Sequence, residues 1–86
     1  MFNFVGTGIS WIGTRSPFQG IASVYIDGVF MDKIDQYSNT TKFIETLFSV
    51  SDLPYGHHWI LVDPKYRKNR KSSGRFTVID AFDVEE

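Results

Sequence analysis

Ile21-Ala-Ser-Val-Tyr-Ile-Asp-Gly-Val-Phe-Met-Asp-Lys-Ile-Asp35 carries the clearest local signal in the chain. Its first arm alternates. Ala22, Val24 and Ile26 share one face and Ser23 and Tyr25 the other, the period of a half-buried strand. Asp27-Gly28 then interrupts two apolar runs with the residue pair that suits a two-residue turn with positive φ. The segment is predicted to be an antiparallel β-hairpin.

The same logic extends outward in both directions. Upstream, Phe2 to Val5 and Gly8 to Gly13 form two short strands broken at Gly6-Thr7-Gly8, with glycines where the backbone bends or is closely approached. Thr14 to Gly20, holding Pro17 and Gly20, is a loop. Downstream, Lys42 to Phe48 is strand-like, with a one-turn helix as the alternative, and its pattern does not select one face. Asp52-Leu-Pro-Tyr-Gly56 is a turn and His57 to Val62 a strand. Asp63 to Gly74 is a long polar loop, leading to a last strand from Arg75 to Val84. Short strands separated by turn signals, without a sustained helical period, predict an all-β antiparallel β-sandwich or jelly roll.

Composition agrees with one folded domain over 1–86. Hydrophobic residues make up 42 % and aromatics 16 %, a content that disordered chains lack. A chain of 86 residues buries only about 60 to 65 % of its unfolded surface, too little for a second core. The net charge of -1 gives no global drive toward nucleic acid or anionic lipid, so an electrostatic partner must meet a local patch. Cysteine is absent, which excludes disulfides and thiolate metal sites and leaves the redox compartment open. No stretch approaches the roughly 20 apolar residues of a membrane-spanning helix, and Met1 to Gly13 lacks the pattern of a signal peptide.

Catalytic signatures are not found. His57 and His58 are adjacent in a strand, so they point to opposite faces and cannot both ligate one metal; one of them is expected to pack or hydrogen-bond at the strand start. Asp80 and Asp83 also fall on opposite faces, and Ser38, Ser72 and Ser73 lack the Gly-x-Ser-x-Gly context of a nucleophile elbow. Neither catalysis, a metal nor a cofactor is expected. Asn39-Thr40-Thr41 matches a glycosylation sequon and also a polar turn.

Binding candidates are clearer. Lys65-Tyr-Arg-Lys-Asn-Arg-Lys71 holds five of the nine basic residues, and Arg75 adds a sixth. Such a loop, with Tyr66, Arg67 and Arg70, either grips phosphates or an acidic polysaccharide or is a solvated loop. Nucleic acid is the weaker class of partner, because only Tyr66 and Trp59 are available for base stacking. Trp11 is expected in the core. Trp59 is the surface candidate, suited to stacking on a sugar ring or to anchoring a protein interface.

The segments Gly6-Thr-Gly-Ile-Ser-Trp-Ile-Gly13, Gly20-Ile-Ala-Ser-Val-Tyr-Ile-Asp-Gly28, Asp35-Gln-Tyr-Ser38, Leu53-Pro-Tyr-Gly-His57, Lys68-Asn69, Ser72-Ser-Gly74 and Ile79-Asp-Ala-Phe82 follow a recognisable order. Together they resemble the C-terminal part of a galactose-binding-like jelly-roll module. Such modules are non-catalytic accessory domains of bacterial carbohydrate-active and surface proteins and of some phage proteins. The resemblance implies carbohydrate binding at an extracellular, cell-surface or virion location, with Trp59, Tyr66, Arg67 and Arg70 as candidate ligand-binding residues. Two departures stand out. The module has further strands N-terminal to Phe2, and Trp59 stands where a small polar residue such as Thr is usual. The first departure implies an incomplete sheet exposing Phe2 and Phe4, completed by a homo-oligomer. A structural or assembly domain of a phage or surface particle is the alternative function.

Overall fold

A computed structural model describes the backbone of residues 1–86 and every side chain except those of Lys65 and Tyr66. The chain forms seven strands: β1 (Phe2–Gly6), β2 (Gly8–Arg15), β3 (Ile21–Ile26), β4 (Val29–Asp35), β5 (Lys42–Val50), β6 (Gly56–Arg67) and β7 (Ala81–Glu85). They make a four-stranded sheet in the order β1-β6-β3-β4 and a three-stranded sheet in the order β5-β2-β7. All the ladders between named strands are antiparallel. The all-β sandwich expected from the alternating pattern is the observed architecture.

The predicted hairpin is β3–β4. Asp27 and Gly28 have φ values of 52° and 84°, the pair of positive angles a type I′ turn demands. The core lies between the sheets, where Val24, Ile26 and Ile60 of the larger sheet face Ile9, Trp11 and Phe48 of the smaller. Trp11 is fully buried, as expected, and its indole Nε1 donates to the Val78 carbonyl at 3.1 Å. Gly13 allows that carbonyl to approach: a Cβ there would collide with the Val78 oxygen and lie 2.7 Å from Leu47 Cδ1.

Several strand boundaries differ from the sequence reading. β6 continues five residues into the segment read as polar loop, because Pro64 lies at an irregularity where Ala22 pairs with Pro64 but Ile21 with Arg67. A bulge is one of the few places where a strand accommodates proline. The last strand begins at Ala81 rather than Arg75. Between them the chain makes a single bridge, Phe76 to Gln19, and one further backbone bond, Asp80 N–H to the Ile12 carbonyl. β2 also runs two residues past the expected end at Gly13.

A further correction concerns Phe4, expected at an open edge. Phe4 is buried at 5 % exposure, because β1 pairs with β6 and turns Phe4 inward beside the His58 ring. Phe2 is 39 % exposed and stacks on Phe82 of β7 at a centroid distance of 4.9 Å. The Thr7 N–H donates to the Glu85 carbonyl at 2.7 Å, so the β1 and β7 edges meet and close that side of the sandwich. β4 and β5 remain as the edges on the other side.

Candidate functional site

The outward face of the four-stranded sheet has its own order. Antiparallel register sets Leu61, Tyr25 and Phe30 in one cross-strand row, Asp63, Ser23 and Lys33 in the next, and Arg67, Ile21 and Asp35 in a third. Trp59 precedes the first row on β6, opposite Asn3 of β1. The face grades from aromatic at the hairpin end to charged at the other. Phe30 is 52 % exposed and meets Tyr25 edge-on at 5.8 Å. Trp59 is half-buried, its ring leaning on the turn at Gly28.

At the charged end Ile21, Ser23, Lys33 and Arg67 line a cleft of about 330 Å³. The segment after β6 is tied down beside it. Asn69 Nδ2 donates to Asp35 Oδ2 at 2.9 Å, and Asn69 Oδ1 accepts the Lys71 N–H at 3.0 Å. Ser72 is buried, with its hydroxyl within 3.0 Å of the carbonyls of Pro17 and Gln19. Lys68 Nζ donates to the Ser72 carbonyl at 2.9 Å. This anchored turn presents exposed Arg70 and Lys71, which with Asn69 border a second hollow of about 510 Å³.

The candidates from sequence therefore separate into two groups. Arg67 and Arg70 lie at the charged end, on or beside the two hollows. Trp59 lies on the same face at the opposite end of β6, on the order of 20 Å away at the rise of a strand. Tyr66 lies outside the described side chains. The aromatics nearer the cleft are Tyr25 and Phe30, and the second cation in it is Lys33. Sequence reasoning did not select these three. Strand alternation already set Tyr25 on the outward face, but only the β4 register places Phe30 beside it and Lys33 beside Ser23.

The two histidines do point to opposite faces. His57 reaches Asn3 Oδ1 at 3.1 Å on the outer surface. His58 turns inward and is held at both ring nitrogens, Nε2 by the Pro54 carbonyl at 2.7 Å and Nδ1 by Asp27 Oδ2 at 2.6 Å. Two acceptors favour the doubly protonated ring. The Pro54 carbonyl and then the Asp27 carboxylate raise the His58 pKa above its ordinary 6.5, against the effect of burial. The bond from His58 chiefly, and that from the Trp59 N–H, lower the Asp27 pKa from its ordinary 3.8. This pair fastens the hairpin turn to β6 and explains the histidine expected to bond at the strand start.

No family model matches the chain, and no solved structure matches it. Two proteins of Flavonifractor plautii are similar in sequence. The A type blood N-acetyl-alpha-D-galactosamine deacetylase is 38 % identical over 61 residues, which are 71 % of this chain and 8 % of that protein. The A type blood alpha-D-galactosamine galactosaminidase is 36 % identical over 61 residues, 71 % of this chain and 6 % of that protein. Both names specify a galactosamine. The chain spans less than a tenth of the length of either relative, and the matched part is a fraction of a carbohydrate-related protein in both cases.

Proposed function

We propose that the chain is a non-catalytic carbohydrate-binding module of the galactose-binding-like jelly-roll type, part of a surface, secreted or virion-associated protein, with the outer face of the β1-β6-β3-β4 sheet as its glycan surface. The observation that carries this reading is the continuity of Trp59, Tyr25 and Phe30 with the polar cleft at Ser23 and Arg67. A sugar ring presents an apolar C–H face and a rim of hydroxyls, so it needs an aromatic platform with hydrogen-bonding groups beside it. A sandwich with no partner on this face would turn polar residues outward. The similarity to two carbohydrate-related proteins supports the same ligand class.

The test is titration of galacto-configured oligosaccharides into the native chain, Trp59→Ala and Phe30→Ala. Loss of an aromatic platform worth on the order of 1 kcal/mol corresponds to several-fold to tenfold weaker binding. Phe30→Ala should melt close to the native chain, since the residue is half exposed. The reading fails if no glycan binds or if both variants bind as the native chain does.

A second reading, a structural or assembly domain, is favoured by a different observation. Phe43 and Ile44 on the edge strand β5 are 73 % and 78 % exposed, and Ile44 has φ of 55°, a left-handed conformation that a β-branched side chain disfavours. Exposed apolar side chains on an edge are covered by self-association in this reading.

A further inference from the structure

We propose that the charged end of the glycan surface recognises an anionic substituent, a carboxylate or sulfate carried on the sugar; this rests on the carbohydrate-binding reading above. Lys33 and Arg67 line one cleft, with the Ser23 hydroxyl between β4 and β6 and Ile21 as its apolar wall. Arg70 and Lys71 border the neighbouring hollow. The Asn69 to Asp35 bond ties the turn carrying them to the end of β4, and Lys33 precedes Asp35 by two residues, about 7 Å along the strand. Four cationic side chains from β4, β6 and the turn that follows β6 thus lie at one corner.

Two carboxylates share this face. Asp35 has both oxygens engaged, Oδ1 by the Tyr37 N–H and Oδ2 by Asn69. Asp63 stands opposite Ser23 on β6. Among the described side chains, cations outnumber the two carboxylates at this corner, in a chain whose net charge is -1. The positive charge is therefore local, and it sits on anchored rather than free backbone. Ser72 is buried against Pro17 and Gln19, and Asn69 caps its own turn through the Lys71 N–H. A preorganised set of cations loses less conformational freedom when it binds than a free basic loop does. Arg67 supplies a planar fork that matches a carboxylate or sulfate in two bonds, while Lys33 supplies a point charge beside it. The aromatic rows hold the sugar ring and the corner reads its charge.

The experiment compares matched ligands that differ only in charge: galacturonate oligomers with their methyl esters, and sulfated galactan with galactan. The native chain should bind each charged member at least tenfold tighter than its neutral counterpart, with the difference shrinking as salt is raised. Lys33→Met and Arg67→Gln alter exposed side chains and should each weaken binding of the charged member far more than that of the neutral one, removing most of the preference. Equal binding of charged and neutral members overturns this inference and leaves the carbohydrate reading standing. Binding of none of the four overturns the carbohydrate reading itself. Single-stranded DNA binding as tightly as sulfated galactan also overturns the inference, because the corner would then be a general polyanion site.

Discussion

Asp27 combines a turn conformation with two side-chain bonds. Its backbone takes the first positive φ of the turn, its Oδ1 accepts the Trp59 N–H at 3.0 Å, and its Oδ2 holds His58. The pH dependence follows from the two shifted groups. A raised His58 pKa means that the folded chain holds this proton more tightly than the unfolded one, so its stabilisation is full below 6.5 and is lost as pH rises through the raised value. A lowered Asp27 pKa has the opposite sense, with stabilisation full above 3.8 and lost as pH falls through the lowered value. The pair stabilises most between those limits, and the melting temperature should decline as pH rises above 6.5. Asp27→Asn retains a residue that tolerates positive φ but removes the charge. It should lower the melting temperature at about pH 5.5 and flatten the decline toward about pH 8. An alkaline slope identical to that of the native chain would detach the pair from the pH dependence.

At the scale of elements, the β3–β4 hairpin depends on Gly28 for conformation rather than for space. A Cβ there would meet the Trp59 ring at an ordinary 3.6 Å, yet φ of 84° disfavours any side chain and a β-branched one most. Gly28→Val should therefore destabilise by about 1 to 2 kcal/mol, and Gly28→Asn by less. On a domain of this size that is a fall in melting temperature of about 4 to 8 °C per kcal/mol, read by thermal denaturation. An unchanged melting temperature for the valine variant would remove the turn assignment. β5 illustrates the converse case. Its sequence does not select a face because Leu47 has no partner between the Trp11–Phe48 and Ile12–Thr46 pairs, so consecutive Leu47 and Phe48 are both buried. A bulge breaks the two-residue period on which a strand reading depends.

For the molecule as a whole, the joined β1 and β7 edges leave apolar side chains on the other two, with Val29 and Met31 on β4 and Phe43 and Ile44 on β5. If the self-association reading holds, light scattering at micromolar concentration gives a mass above that of the 9.9 kDa chain, and the double variant Phe43→Ser, Ile44→Asn returns it to 9.9 kDa. A native chain that scatters as a 9.9 kDa monomer sinks the self-association reading. The all-β class, the hairpin and its turn, the burial of Trp11 and the opposed histidines are legible in the sequence. Each of these follows from local alternation, or from a backbone angle that few residues adopt. Folding in three dimensions sets what depends on register between distant segments. It buried Phe4 beside His58 of the neighbouring β6, extended β6 past Pro64 at a bulge, and joined Asp27 to His58 across 31 positions of sequence. It also brought Lys33 of one strand into the cleft with Arg67 of another and set Trp59 at the far end of the same face. Alternation says which side of its own strand a residue occupies. Which residues of other strands lie beside it is set by cross-strand hydrogen bonding and by bulges, and neither has a local signature.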